Sequence, residues 1–162
     1  MRYPISTPLT VNNTQFNYPV AGEPKGWGED ATAWATEVTA VLNDLKGPND
    51  ILQSSFTITN NQVSFIDIVG LLFDPASVRR ATINYNISRS TDSSTIVESG
   101  NLEITYNPDL GQWYLSRDDD GNVPNVEFDV TNSGQVQYTS SNLSGLNYEG
   151  TITFRAKTLD II

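Results

Sequence analysis

The chain has 162 residues, the size of one domain or of one domain with a short arm. It carries 19 Asp and Glu against 9 Lys and Arg, a formal charge of −10 that repels nucleic-acid backbones and anionic membranes. With no Cys and no His, it lacks disulfides, thiolate or imidazole metal ligands, and the Ser-His and Cys-His nucleophile pairs.

Residues 1–28 hold Pro4, Pro8, Pro19 and Pro24, then Gly22, Gly26 and Gly28. Proline lacks the backbone donor that helices and central strands need, so an extended arm is expected here. The opening Met1-Arg2-Tyr3-Pro4-Ile5 has no apolar run of the kind a secretory leader carries, and no stretch approaches the ~20 apolar residues that span a bilayer. Within the arm, Thr14 to Tyr18 alternates well enough to add as an edge strand to a partner sheet. Tyr3, Phe16, Tyr18 and Trp27 would serve as its aromatic anchors.

From Asp30 to Lys46 the period becomes helical. Ala31, Trp34, Val38, Val41 and Leu45 are spaced three, four, three and four apart, the narrow seam of a coiled coil. Asp30 is a candidate N-cap, and Lys46-Gly47-Pro48 supplies a terminal cation, a C′ glycine and a stop. A helix this short is marginal alone, so its seam packs either on its own domain or against copies of itself. A bulky Trp on the seam fits three strands more easily than a tight dimer, which makes a homotrimer the expected assembly.

Beyond Asn49 the period is two. Strands are expected at 55–59, 62–69, 78–87, 95–106, 112–117, 126–131, 135–140 and 151–159, about eight in all. Ala81, Ile83, Tyr85 and Ile87 alternate with Thr82, Asn84 and Asn86, the mark of an antiparallel sheet with one wet face. The connections, among them Ser90 to Ser94 and Asp118 to Asn122, are too short for parallel crossovers, and Asn132-Ser133-Gly134 reads as a hairpin turn. The expectation is a mainly β protein: an extended arm over 1–28, an amphipathic helix over 29–47, and an antiparallel β-sandwich or barrel over 52–162.

Candidate chemistry is sparse. Asp118-Asp119-Asp120-Gly121-Asn122 offers the hard oxygens that Ca²⁺ prefers, but Val123 stands where an EF-hand loop needs Gly, so a solvated hairpin tip is expected. Glu98, Glu103, Glu127 and Asp129 could pair for glycoside hydrolysis, although Glu103 and Asp129 alternate with apolar neighbours as the polar faces of strands. Trp113, Tyr114, Tyr138 and Tyr148 could stack on a sugar, with Trp113 or Tyr114 facing the core. Arg79 and Arg80 read as surface ion pairs. No catalytic, cofactor-binding or metal-binding residue is assigned.

The segment Asn13-Thr14-Gln15-Phe16-Asn17-Tyr18-Pro19, followed by Pro24-Lys25-Gly26-Trp27-Gly28-Glu29-Asp30-Ala31-Thr32-Ala33-Trp34-Ala35, resembles an N-terminal segment of small virion structural proteins of tailed bacteriophages. The run Gly134 to Ser140 and the run Tyr148 to Thr158 look like the closing strands of phage fibre and head-decoration domains. Together these stretches cover about a third of the chain and hold no catalytic signature. The resemblance implies a non-enzymatic fibre or capsid-decoration (cement) subunit, commonly homotrimeric, assembled in the host cytoplasm and resident in the virion. Its arm would grip a larger capsid or tail protein. A receptor-binding module that recognises host surface glycan through residues 118–122 and 141–147 is the alternative, and a glycan-cleaving enzyme the remote one. No cofactor is implied.

Overall fold

The computed structural model describes residues 7–11, 14–18, 28–45, 47–121 and 125–161, with side chains at 31–42, 47–121 and 125–161. The chain divides into two compact units, Met1–Pro48 and Asn49–Ile162. Among the described residues no helix is long and apolar enough to cross a membrane.

In the first unit, β1 (Thr7–Val11) and β2 (Thr14–Tyr18) pair antiparallel, with Leu9 opposite Phe16. The arm is therefore folded on itself over these residues, and Thr14–Tyr18, expected to add to a partner's sheet, already has one neighbour in its own chain. Helix α1 runs from Gly28 to Leu45. It starts two residues before Asp30, which sits in the first turn rather than capping it. Thr36 and Thr39 donate their hydroxyls to the carbonyls of Thr32 and Ala35, one turn back, so their polar groups are satisfied without leaving the helix.

The second unit is an antiparallel β-sandwich. One sheet has the order β3-β10-β5-β6-β7, and the other β4-β9-β8. These strands are β3 (Ile51–Thr57), β4 (Ile66–Leu72), β5 (Val78–Ser90), β6 (Thr95–Asn107), β7 (Gln112–Gly121), β8 (Val126–Val130), β9 (Gln135–Ser140) and β10 (Glu149–Asp160). Eight strands are found where eight runs were expected, with β3 four residues earlier at its start, β4 shifted from 62–69 to Ile66–Leu72, and β5 and β7 longer at their ends. Alternation on β5 holds: Ala81, Ile83, Tyr85 and Ile87 are buried. Leu102 and Ile104 on β6, and Ile152, Phe154 and Ala156 on β10, complete that sheet's inner face. Opposite them lie Ile68 and Leu71 of β4, Val126 and Val130 of β8, and Val136 and Tyr138 of β9. Edge-to-face ring pairs, Phe56 with Tyr138 at 5.7 Å and Tyr85 with Phe128 at 5.2 Å, tie the two sheets together.

The turn at Asn132-Ser133-Gly134 is as expected. The Gly134 N–H donates to Thr131 O at 2.9 Å and Gly134 has φ +85°, a type I turn followed by a glycine bulge.

Candidate functional site

Two places hold part of the residues singled out above, one in each unit. On α1, Ala31, Trp34, Val38 and Val41 are all partly covered and none is fully buried. Leu42, one position off the seam, is 58% exposed. The side chain of Leu45 lies outside the described residues. So do Tyr3 and Trp27 entirely, while Phe16 and Tyr18 are placed only by the backbone of β2.

The second place is at one end of the sandwich. The inward parity of β7 that buries Trp113 and half-buries Leu115 continues to Arg117 and Asp119, so the apolar face gives way to charge. On β6 the same parity carries from Leu102 through Gly100 to Glu98. Register sets Gly100 beside both Tyr85 and Asp119. A β-carbon at Gly100 would lie 2.7 Å from the Tyr85 hydroxyl and 2.6 Å from Asp118 O, so the absence of a side chain there is what lets the phenol reach inward.

The Tyr85 hydroxyl donates to Glu98 Oε1 at 2.6 Å and accepts from Arg117 Nε at 3.0 Å. Arg117 also forms an ion pair with Glu98 through Nη2, approaches Asp119 Oδ2 at 2.5 Å, and donates through Nη1 to Val126 O at 2.7 Å. Its guanidinium lies 5.3 Å from the Phe128 ring centroid. Glu98 is only 4% exposed, so this buried carboxylate is matched by a charged donor and a phenol, as burial of charge demands.

Outside this network opens a cleft of about 280 Å³, lined by Glu98, Arg117, Asp119, Asp120, Asn125 and Glu127 among others. Of the hairpin tip expected at 118–122, Asp118 to Gly121 are instead the end of strand β7, where Asp118, Asp119 and Asp120 pair with Asn101, Gly100 and Ser99 of β6, and position 122 lies outside the described residues. Asp119 and Asp120 both border the cleft, whereas Asp118 does not line it. Among the described residues no group of three acidic side chains is arranged to hold a metal.

Of the four carboxylates weighed for glycoside chemistry, the fold brings Glu98 and Glu127 to this cleft. Glu103 pairs with Arg80 at 2.5 Å on the exposed outer face, and Asp129 Oδ1 accepts from the Val130 N–H at 2.8 Å. Of the aromatics weighed as a sugar platform, Trp113 and Tyr138 are core residues at 6% and 1% exposure. Tyr138 has its hydroxyl taken by the Thr59 N–H at 3.0 Å. Tyr114 is exposed, and Tyr148 lies under Arg89. The four therefore form no common platform.

Arg89, which the sequence reading passed over, is fully buried. It donates to Tyr148 Oη at 3.0 Å, Asn60 Oδ1 at 3.0 Å and Ser141 O at 2.6 Å. Asn60 in turn accepts from the Leu143 N–H and donates to Leu143 O, so the 141–148 loop is fastened to the sandwich. The one signal for Arg89 was its parity, two residues beyond Ile87 on the inner face of β5.

Burial, and next its hydrogen bond to Glu98, hold the Tyr85 phenol well above its ordinary value of 10. The neutral phenol thus favours the folded state. That contribution is complete below about pH 10 and is lost above it, where the unfolded chain ionises and the folded chain does not. Stability of the wild type is expected to fall more steeply above pH 10 than that of Tyr85→Phe. Denaturant unfolding at a series of alkaline pH values checks this, and equal slopes would refute it.

No protein-family model matches the chain, and no curated protein does. Among solved structures, the crystal structure of the Acinetobacter phage vB_ApiP_P1 tailspike protein is similar with a TM-score of 0.44 and 14% identity, over 67% of this chain and 21% of that one. The Acinetobacter baumannii phage AM24 tailspike protein is similar with a TM-score of 0.36 and 14% identity, over 68% of this chain and 26% of that one. The chain thus matches only about a fifth to a quarter of either tailspike's length.

Proposed function

We propose that this chain is a non-enzymatic structural subunit of a tailed-bacteriophage particle, a fibre or capsid-decoration protein that assembles as a homotrimer through α1 and attaches through residues 1–28. The observation that carries the assembly is the contrast between the units. The sandwich closes a full core of its own, whereas the α1 seam at Ala31, Trp34, Val38 and Val41 stays only partly covered. Seam residues at coiled-coil spacing gain their full stabilisation, about 1.5–3 kcal/mol for a large apolar side chain, only when a second surface excludes the remaining water. The phage assignment is supported by the resemblance of residues 13–19 and 24–35 to virion proteins. Repeated copies make a weak arm contact sufficient, because avidity multiplies it.

Light scattering on the full chain tests this reading. The wild type is expected at three times the chain mass, and Trp34→Asp at the chain mass with its β spectrum by circular dichroism unchanged. A Trp34→Asp protein that keeps the wild-type mass would remove α1 from the assembly.

A further inference from the structure

The cleft at the end of the sandwich holds more acceptors than its own residues use. Glu98, Asp119, Asp120 and Glu127 border it, four carboxylates against the one guanidinium of Arg117. Arg117 is already committed: Nε engages Tyr85 and Asp119, Nη1 engages Val126 O, and Nη2 engages Glu98. It offsets Glu98 and Asp119. Asp120 and Glu127, both exposed, form no ion pair among the described residues and remain as uncompensated charge.

Glu98 adds an observation of a different kind. Its side chain is only 4% exposed, yet both of its bonds, from the Tyr85 hydroxyl and from Arg117 Nη2, fall on Oε1. Oε2 accepts from no described residue and opens on the cleft. A carboxylate oxygen this deep is costly to leave without a donor, so the site is one donor short.

The chemistry of the acceptors selects what supplies that donor. Ionised carboxylates only accept, so a sugar or a neutral amide would bring acceptors of its own to face them. An ammonium or a guanidinium only donates, and it carries the charge that strengthens each bond. A divalent metal ion fits poorly, because among the described residues no three acidic side chains converge to ligate one. The volume of about 280 Å³ takes one cationic side-chain end rather than an extended polyamine. The floor is fixed in advance: Arg117 Nη1 ties β7 to Val126 O in the other sheet, and the Ser141 N–H holds Asn125 O at 3.0 Å.

We infer that this cleft is a socket for a lysine or arginine side chain of a partner protein, with Glu98 at its floor and Asp120 and Glu127 at its rim. The inference goes beyond the assembly reading above and does not need it, since every residue involved belongs to the unit that closes its own core.

The test is titration of the full chain at low salt with N-acetyl-arginine amide, N-acetyl-lysine amide and the neutral N-acetyl-citrulline amide, followed by backbone amide chemical shifts. Saturable shifts gathered at Glu98, Gly121 and 125–127 are expected with arginine or lysine, and none with citrulline, which keeps the shape of arginine without its charge. Asp120→Asn and Glu127→Gln are expected to weaken binding about threefold each, in the range of exposed ion pairs, and about tenfold together. Asp109→Asn removes the same charge from an exposed position at the opposite end of the β6–β7 hairpin and is expected to leave binding unchanged. All three positions are exposed, so an unchanged melting temperature shows that each variant keeps its fold. An equal response to citrulline, an equal loss in Asp109→Asn, or no saturable shift with either cation would overturn the proposal. So would binding of spermidine with neither amino-acid amide bound, which would put a free polyamine in place of a protein partner. Failure of the α1 assembly shows in the mass of the chain and not in these shifts, so the two readings fail separately.

Discussion

Gly134→Ala is expected to be among the most damaging single-methyl changes in the sandwich. The added β-carbon would lie 1.9 Å from Phe73 O and 3.0 Å from its carbonyl carbon, both backbone atoms that cannot swing aside. Phe73 N also donates to Gly134 O at 3.1 Å, so the two segments are hydrogen-bonded at the point of collision. The φ of +85° adds strain for any residue with a side chain, about 1–3 kcal/mol. Forcing the β8–β9 turn away from Phe73 costs about 1–3 kcal/mol more, as overpacking does. The melting temperature should therefore fall on the order of 10 °C or more, measurable by calorimetry. A drop of a degree or two would mean that the turn and the Phe73 segment are not in contact in solution.

Arg117→Met tests the buried network in the same unit. Methionine keeps much of the stem that packs near Phe128 but removes every donor that Glu98, Asp119, Tyr85 and Val126 O now share. Glu98, only 4% exposed, would be left with the Tyr85 hydroxyl alone. Stranding a buried charge in this way costs about 3–5 kcal/mol. The double variant Arg117→Met/Glu98→Gln removes the stranded charge and should recover a substantial part of that loss, a coupling that a double-mutant cycle by urea unfolding reads directly. If the double variant is as unstable as the single one, the penalty comes from lost packing and not from the uncompensated carboxylate.

The sandwich was legible because its strands announce themselves locally. Ala81, Ile83, Tyr85 and Ile87 alternate with polar residues, and all four proved to be buried. The Asn132-Ser133-Gly134 turn was legible for a similar reason, since a glycine after two small polar residues suits the one left-handed position that a three-residue hairpin requires. Boundaries were less so. β7 runs through Asp118, Asp119 and Asp120, residues whose own preference is for loops, because each faces a residue of β6 that completes the ladder.

The candidate cleft was only half legible. Glu98 and Glu127 were visible as carboxylates, but their convergence depends on β6 and β8 belonging to different sheets that meet at one end of the sandwich. Arg89 and Arg117 drew no reading from the sequence, although each continues the inward parity of a strand with a clean apolar face.

By itself the sequence determined the class of the fold, the number and direction of the sandwich strands, the presence of the helix, and the exclusion of thiol and imidazole chemistry. These follow from local periodicity and composition, which need no partner to be expressed. Only the tertiary structure decided that Thr14–Tyr18 pairs with Thr7–Val11, that Trp113 is core, and that Arg117 and Glu98 are brought together. Those outcomes hang on which distant strands become neighbours, and a side chain's environment is set by those neighbours as much as by its own chemistry.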